Sequence, residues 1–75
     1  MGHSIRRKWE SPDRYYTAIL HRDLFDTWIV TRVWGGKGNR RDRIDPRPVA
    51  SYSAGLQMLD SIARRRKQHG YTLIN

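Results

Sequence analysis

The stretch that most constrains this chain is Thr27-Trp28-Ile29-Val30-Thr31-Arg32-Val33-Trp34, followed at once by Gly35-Gly36-Lys37-Gly38-Asn39. The β-branched and aromatic residues of its first half suit a pleated, half-buried surface and predict a strand. The glycines of the second half turn the chain, with Lys37 held in the bend. Strand alternation sets Trp28, Val30, Arg32 and Trp34 on one face and Ile29, Thr31 and Val33 on the other. Both faces are partly apolar, so this strand is expected inside a small sheet.

The flanking segments supply its neighbours. Arg14 to Arg22 alternates Tyr15, Thr17 and Ile19 with Tyr16, Ala18 and Leu20, which predicts a second strand. Asp23-Leu24-Phe25-Asp26 has the length of a hairpin connection between the two. Arg40 to Val49 is expected to return as a third strand, with Pro46 and Pro48 placing its later half at an edge. Ser51 or Ser53 then caps a helix running to about His69. Its apolar stripe is Tyr52, Leu56, Leu59, Ile62 and Ala63, and Gly70 suits the residue just past its end. Tyr71 to Asn75 forms a last short strand. The order β-β-β-α-β predicts an α+β domain over residues 13–75: a small antiparallel sheet with one helix packed on one face. Residues 1–12, with Arg6-Arg7-Lys8 and Trp9, read as a basic, flexible N-terminal segment. The small aliphatic side (Ile29, Thr31 and Val33, with Ala18 and Leu20) is expected under the helix. The side carrying Trp28, Arg32 and Trp34 is expected to be open.

Charge narrows the partners. Over 75 residues, 15 basic side chains face 7 acidic ones, a net charge of +8. Such a field bears on association rather than on fold. Arg outnumbers Lys twelve to three, and guanidinium forks match phosphate oxygens bidentately. There is no cysteine, which excludes disulfides and thiolate metal sites and suits a reducing compartment. The expected location is the cytoplasm, nucleoid included. No apolar run approaches the roughly 20 residues that cross a bilayer, and the helix spends its apolar stripe on the sheet, so no membrane partner is expected. His3, His21 and His69 lie on separate elements, no metal-ligand spacing is present, and no G-x-S-x-G elbow occurs. The expectation is therefore a chain with no catalytic residue, metal, cofactor or small-molecule substrate.

Two features could contact an anion. Successive N–H groups in the Gly35–Asn39 bend could form an anion-binding nest beside Lys37, Arg40 and Arg41; the same glycines also suit a plain turn. Arg64, Arg65 and Lys67 could add a second basic footprint; the run Arg64-Arg65-Arg66-Lys67 equally complements the negative end of the helix dipole. Trp34, where strand meets loop, could stack on a base or sugar or belong to the core.

The set Trp28…Arg32-Val33-Trp34-Gly35-Gly36…Gly38, then Val49-Ala50-Ser51-Tyr52-Ser53-Ala54 and Lys67…Gly70-Tyr71, resembles the WGR domain. That module is named for Trp-Gly-Arg. It occurs in DNA-dependent poly(ADP-ribose) polymerases and as small bacterial stand-alone proteins, and the likeness is greatest to the latter. The resemblance spans residues 13–75 and implies a nucleic-acid-binding α+β module. In the polymerases the motif's tryptophan sits against the nucleotide at a DNA end, and neighbouring basic residues hold the backbone. Trp34 matches that tryptophan and Gly35 the glycine, whereas Gly36 stands where the family has arginine. The signal-relaying role of that arginine is therefore not carried over.

The expected function is nucleic-acid binding, to DNA before RNA, through phosphate contacts and with a preference for duplex ends. Its expected site is Trp34, Gly35, Lys37, Arg40, Arg41, Arg43, Arg64, Lys67 and Tyr71, with Arg65 beside the helix pair. The alternative is a protein-interaction adaptor that meets an acidic partner through its basic surface. A contiguous exposed apolar patch would favour the adaptor.

Overall fold

The computed structural model describes residues 4–38 and 41–75. The strands are β1 (Ile5–Glu10), β2 (Arg14–Arg22), β3 (Trp28–Gly36), β4 (Arg43–Val49) and β5 (Thr72–Leu73), and the helix is α1 (Tyr52–Gln68). All pairings are antiparallel and the sheet order is β4-β3-β2-β1-β5. The α+β class and the single helix on one face agree with the sequence reading, with one strand more. β3 lies inside the sheet, and β4 with its two prolines lies at an edge.

That added strand corrects the reading of residues 1–12 as a flexible arm. Ile5, Arg7 and Trp9 alternate with Arg6, Lys8 and Glu10, a half-buried strand pattern that the charge run conceals. Trp9 is buried, and β1 pairs with β2 over its whole length. Backbone bonds from Lys8 N–H to the Asn75 carbonyl (3.1 Å) and from Ile74 N–H to the Lys8 carbonyl (2.8 Å) tie the C-terminal strand to it. Met1 to His3 lie outside the described residues.

On β2 the helix covers Ala18 and Leu20, as expected, but on β3 it covers the face opposite to the one expected, that of Val30, Arg32 and Trp34. Leu20 stands across from Val30, Ala18 from Arg32 and Tyr16 from Trp34. The buried core is Trp9, Tyr16, Ala18, Leu20, Val30, Leu59 and Ile62. The cause is one residue of loop. A four-residue Asp23–Asp26 connection would set Arg22 against Thr27 and Leu20 against Ile29. Instead Arg22 pairs with Trp28, leaving residues 23–27 in the loop, and a one-residue slip exchanges the faces of a strand. Asp23 holds the longer loop: its carboxylate accepts the N–H groups of Phe25 (2.8 Å) and Thr27 (2.9 Å). Asp26 takes a φ of 62°, a left-handed conformation that Asp tolerates.

Ser51 caps α1 by accepting the Ala54 N–H at 3.1 Å. Gly70 (φ 81°) ends the helical segment, with the Tyr71 N–H returning to the Arg66 carbonyl at 2.9 Å. The helix seats on the small middle of the sheet, where a side chain at Gly55 would run into Leu20. The larger aromatics bracket it. Trp28 packs on Tyr52 (5.0 Å between centroids) near one end, and Tyr16 lies under Arg66 near the other.

Candidate nucleic-acid interface

Tyr16 organises the far end of the helix face. Its ring stacks on Trp34 (5.9 Å, 18° between planes) and meets Trp9 and Tyr71 edge-on at 6.0 and 6.4 Å. The Arg66 guanidinium lies 4.3 Å from the Tyr16 centroid and 5.0 Å from that of Tyr71, a cation–π arrangement. Trp34 is thus packed on the core at one side. It is also half-buried rather than buried, and it lines a groove.

That groove, of about 300 Å³, has Trp34 and Tyr71 on its walls, with Arg14, Arg41 and Arg43 around it. The register explains the grouping: Arg43 stands across from Trp34, and Arg14 from Gly36. These four positions share the helix-side face. Gly36 has no side chain to fill it, so the surface sinks there. Arg14 and Tyr71 also line a neighbouring depression of about 690 Å³ that reaches Arg66 and His69. A third hollow continues from Arg66 to Arg65 and Arg32. Among the described residues lining the Trp34 groove there is no carboxylate.

Arg32 and Arg47 are committed to structure. Arg32 bonds to Asp45, which raises the Arg32 pKa further and holds the Asp45 carboxyl below its ordinary value of 3.8. Arg47 bonds to the same carboxylate at 3.1 Å. Arg32 also lies over Trp34, 5.4 Å from the ring centroid, so it orients that indole while its own charge is matched.

Against the expected site, the structure brings Trp34, Gly35, Arg41, Arg43 and Tyr71 together. Lys37 goes elsewhere: its Nζ bonds to Glu10 at 3.0 Å, and it lines a depression on the other face of the sheet. Arg64 and Lys67 are exposed on α1, and Arg64 donates to Ser61 Oγ at 3.2 Å. Neither borders the groove; Arg65 and Arg66 face the adjoining hollows. Arg40 lies outside the described residues. Among the described residues no group of His, Asp or Glu is placed to hold a metal, and no helix is long and apolar enough to cross a membrane.

No family model, curated protein or solved structure matches this chain.

Arg14 on the groove and Arg66 on the adjoining hollows were not among the expected site residues. Arg66 continues the buried helix stripe at the spacing 59, 62, 66, so a cation on an apolar stripe was its visible signal. Arg14 carried no such mark. Its place follows from pairing with Gly36, which needs the hairpin register.

Proposed function

We propose that this chain is a nucleic-acid-binding module, taking DNA in preference to RNA, held mainly by phosphate contacts. The observation that carries this reading is the groove of Arg14, Arg41 and Arg43 walled by Trp34 and Tyr71, on a chain of net charge +8. Guanidinium groups suit phosphate oxygens, and an accessible aromatic offers a stacking surface that tolerates any base. The resemblance to the WGR domain supports the same reading and adds a preference for duplex ends, with Trp34 against the terminal nucleotide.

Titration of a labelled duplex over a range of salt tests it. Affinity should fall log-linearly with salt, with a slope of roughly −0.9 per phosphate contact. Replacing Arg41 and Arg43 together by alanine should flatten that slope by about two contacts, whereas Arg64→Ala with Lys67→Ala should change it little. Equal losses from both pairs would remove the groove from the reading, and absence of binding at low salt would end it. Linear duplex should also compete better than the same sequence closed into a circle.

A second reading, a protein-interaction adaptor without catalysis, draws on a separate observation. Among the described residues nothing covers the sheet face away from the helix, which carries an apolar strip of Ile19, Ile29, Val33 and Ile44, the last 67% exposed.

A further inference from the structure

Among the described residues, one helix covers one face of the sheet and no element covers the other. Ile19, Ile29 and Val33 are half-buried on this open face, beside exposed Ile44. The sheet is poorly suited to grow sideways. β4 at one edge carries Pro46 and Pro48, and β5 at the other has 2 residues, both features that discourage strand addition. An apolar face of this kind marks a place where something docks.

Two parts of the chain have opposite chemistry. Toward the Lys37 end, the open face holds a depression of about 470 Å³. Thr17, Ile19 and Val33 form its floor, and Arg6, Lys8 and Lys37 make a mainly basic rim that Glu10 and Asp42 interrupt. At the opposite end of β2 and β3, Leu24 (98% exposed) and Phe25 (85%) project between Asp23 and Asp26. This tip is braced by the Asp23 carboxylate bonds already described and by an Arg22–Asp26 ion pair at 2.9 Å. A braced turn that displays two adjacent large apolar side chains is preorganised for a contact. The 9-residue lengths of β2 and β3 keep the tip and the depression apart within one chain.

We propose that they meet between two copies. The chain forms a twofold dimer, open face on open face, with the strands of the two sheets running in opposite directions. Leu24 and Phe25 of each copy then cover the Thr17–Val33 floor of the other, with their flanking acids toward its basic rim. The contact is reciprocal and closes on itself, and two such faces pack roughly 10 Å apart. The molecule measures 36 by 25 Å in its longer dimensions, so this face is on the scale of the roughly 800 Å² per partner that a stable interface buries. The Trp34 groove lies on the helix side, so the dimer carries two grooves, and the pairing does not depend on what they bind.

Light scattering of the purified chain over a range of concentration should give twice the 8.9 kDa chain mass. Leu24→Ser with Phe25→Ser alters only positions exposed in the single chain and should give the single-chain mass while still melting cooperatively, at a temperature that no longer depends on concentration. The chain has no cysteine, so Phe25→Cys combined with Lys37→Cys should, on oxidation, link position 25 of one copy to position 37 of the other. Neither single cysteine variant should cross-link. A wild-type chain that stays monomeric at every concentration would overturn the proposal, as would a dimer that survives the tip substitutions. Open-ended growth would overturn the twofold. A monomer that binds a peptide of residues 21–28 at Ile19 and Val33 would reassign the face to an acid-flanked apolar segment of a different protein.

Discussion

Trp34 serves the core and the groove at once, and its variants should show both. It stacks on buried Tyr16 while remaining half-buried itself. Full truncation of a buried tryptophan costs about 3–5 kcal/mol, so Trp34→Ala should lose somewhat less and lower the melting temperature clearly. Trp34→Leu keeps apolar volume but offers no aromatic face. It should remain folded and bind duplex more weakly, by about 1–3 kcal/mol if one base or sugar stacks there. A folded leucine variant with wild-type affinity would confine Trp34 to the core. Gly36 supports the complementary test. It is not among the positive-φ glycines, and it shares the groove face with Trp34 and Arg14. Gly36→Arg should therefore be accommodated by the backbone and place a guanidinium in the groove. One added phosphate contact should steepen the salt slope by roughly 0.9; an unchanged slope would mean that the position does not reach the backbone.

At the level of elements, the helix sits where the sheet is smallest. Gly55 allows that approach, because a Cβ there would collide with the fully buried Leu20 side chain. Alanine would improve helix propensity by roughly 1 kcal/mol, yet overpacking a filled core costs about 1–3 kcal/mol. Leu20 has no solvent to move into, so the clash should win. Gly55→Ala should lower stability in a denaturant titration, and a stabilised variant would show that α1 can lift away from β2. The basic last turn of α1 divides its work. Arg66 packs on Tyr16 and Tyr71, whereas Arg65 and Lys67 are exposed in that turn, where they complement the helix dipole.

For the whole molecule, the first strand matters most. β1 supplies buried Trp9 and joins β2 to β5, which among the described residues has no other neighbour in the sheet. Deleting residues 1–10 should abolish cooperative thermal unfolding rather than trim a dispensable arm. A truncated chain that melts cooperatively near the wild-type temperature would contradict this account of the core. The polarity of the molecule follows from the same frame. The Trp34 groove is on the helix side at the glycine-loop end, whereas the apolar Leu24–Phe25 tip lies at the far end of the same hairpin.

Much of this was legible in local chemistry. Alternation in Arg14–Arg22 and Trp28–Gly36, the Ser51 cap, the stripe through Leu59 and Ile62, and Gly70 each act over a few residues. Such signals survive without a partner surface. They were enough for the α+β class, the helix boundaries and the proline-bearing edge. Part of the groove's lining was readable too, because Trp34, Gly35, Arg41 and Arg43 lie close in sequence. What alternation cannot say is which of two half-apolar faces goes inward. That depended on the hairpin register, set by the Asp23 carboxylate and the left-handed Asp26. The burial of Trp9 and the gathering of Arg14, Arg66 and Tyr71 around Trp34 likewise required the antiparallel pairing of distant segments. These contacts join residues that no local pattern relates, so only the assembled sheet and helix could choose them.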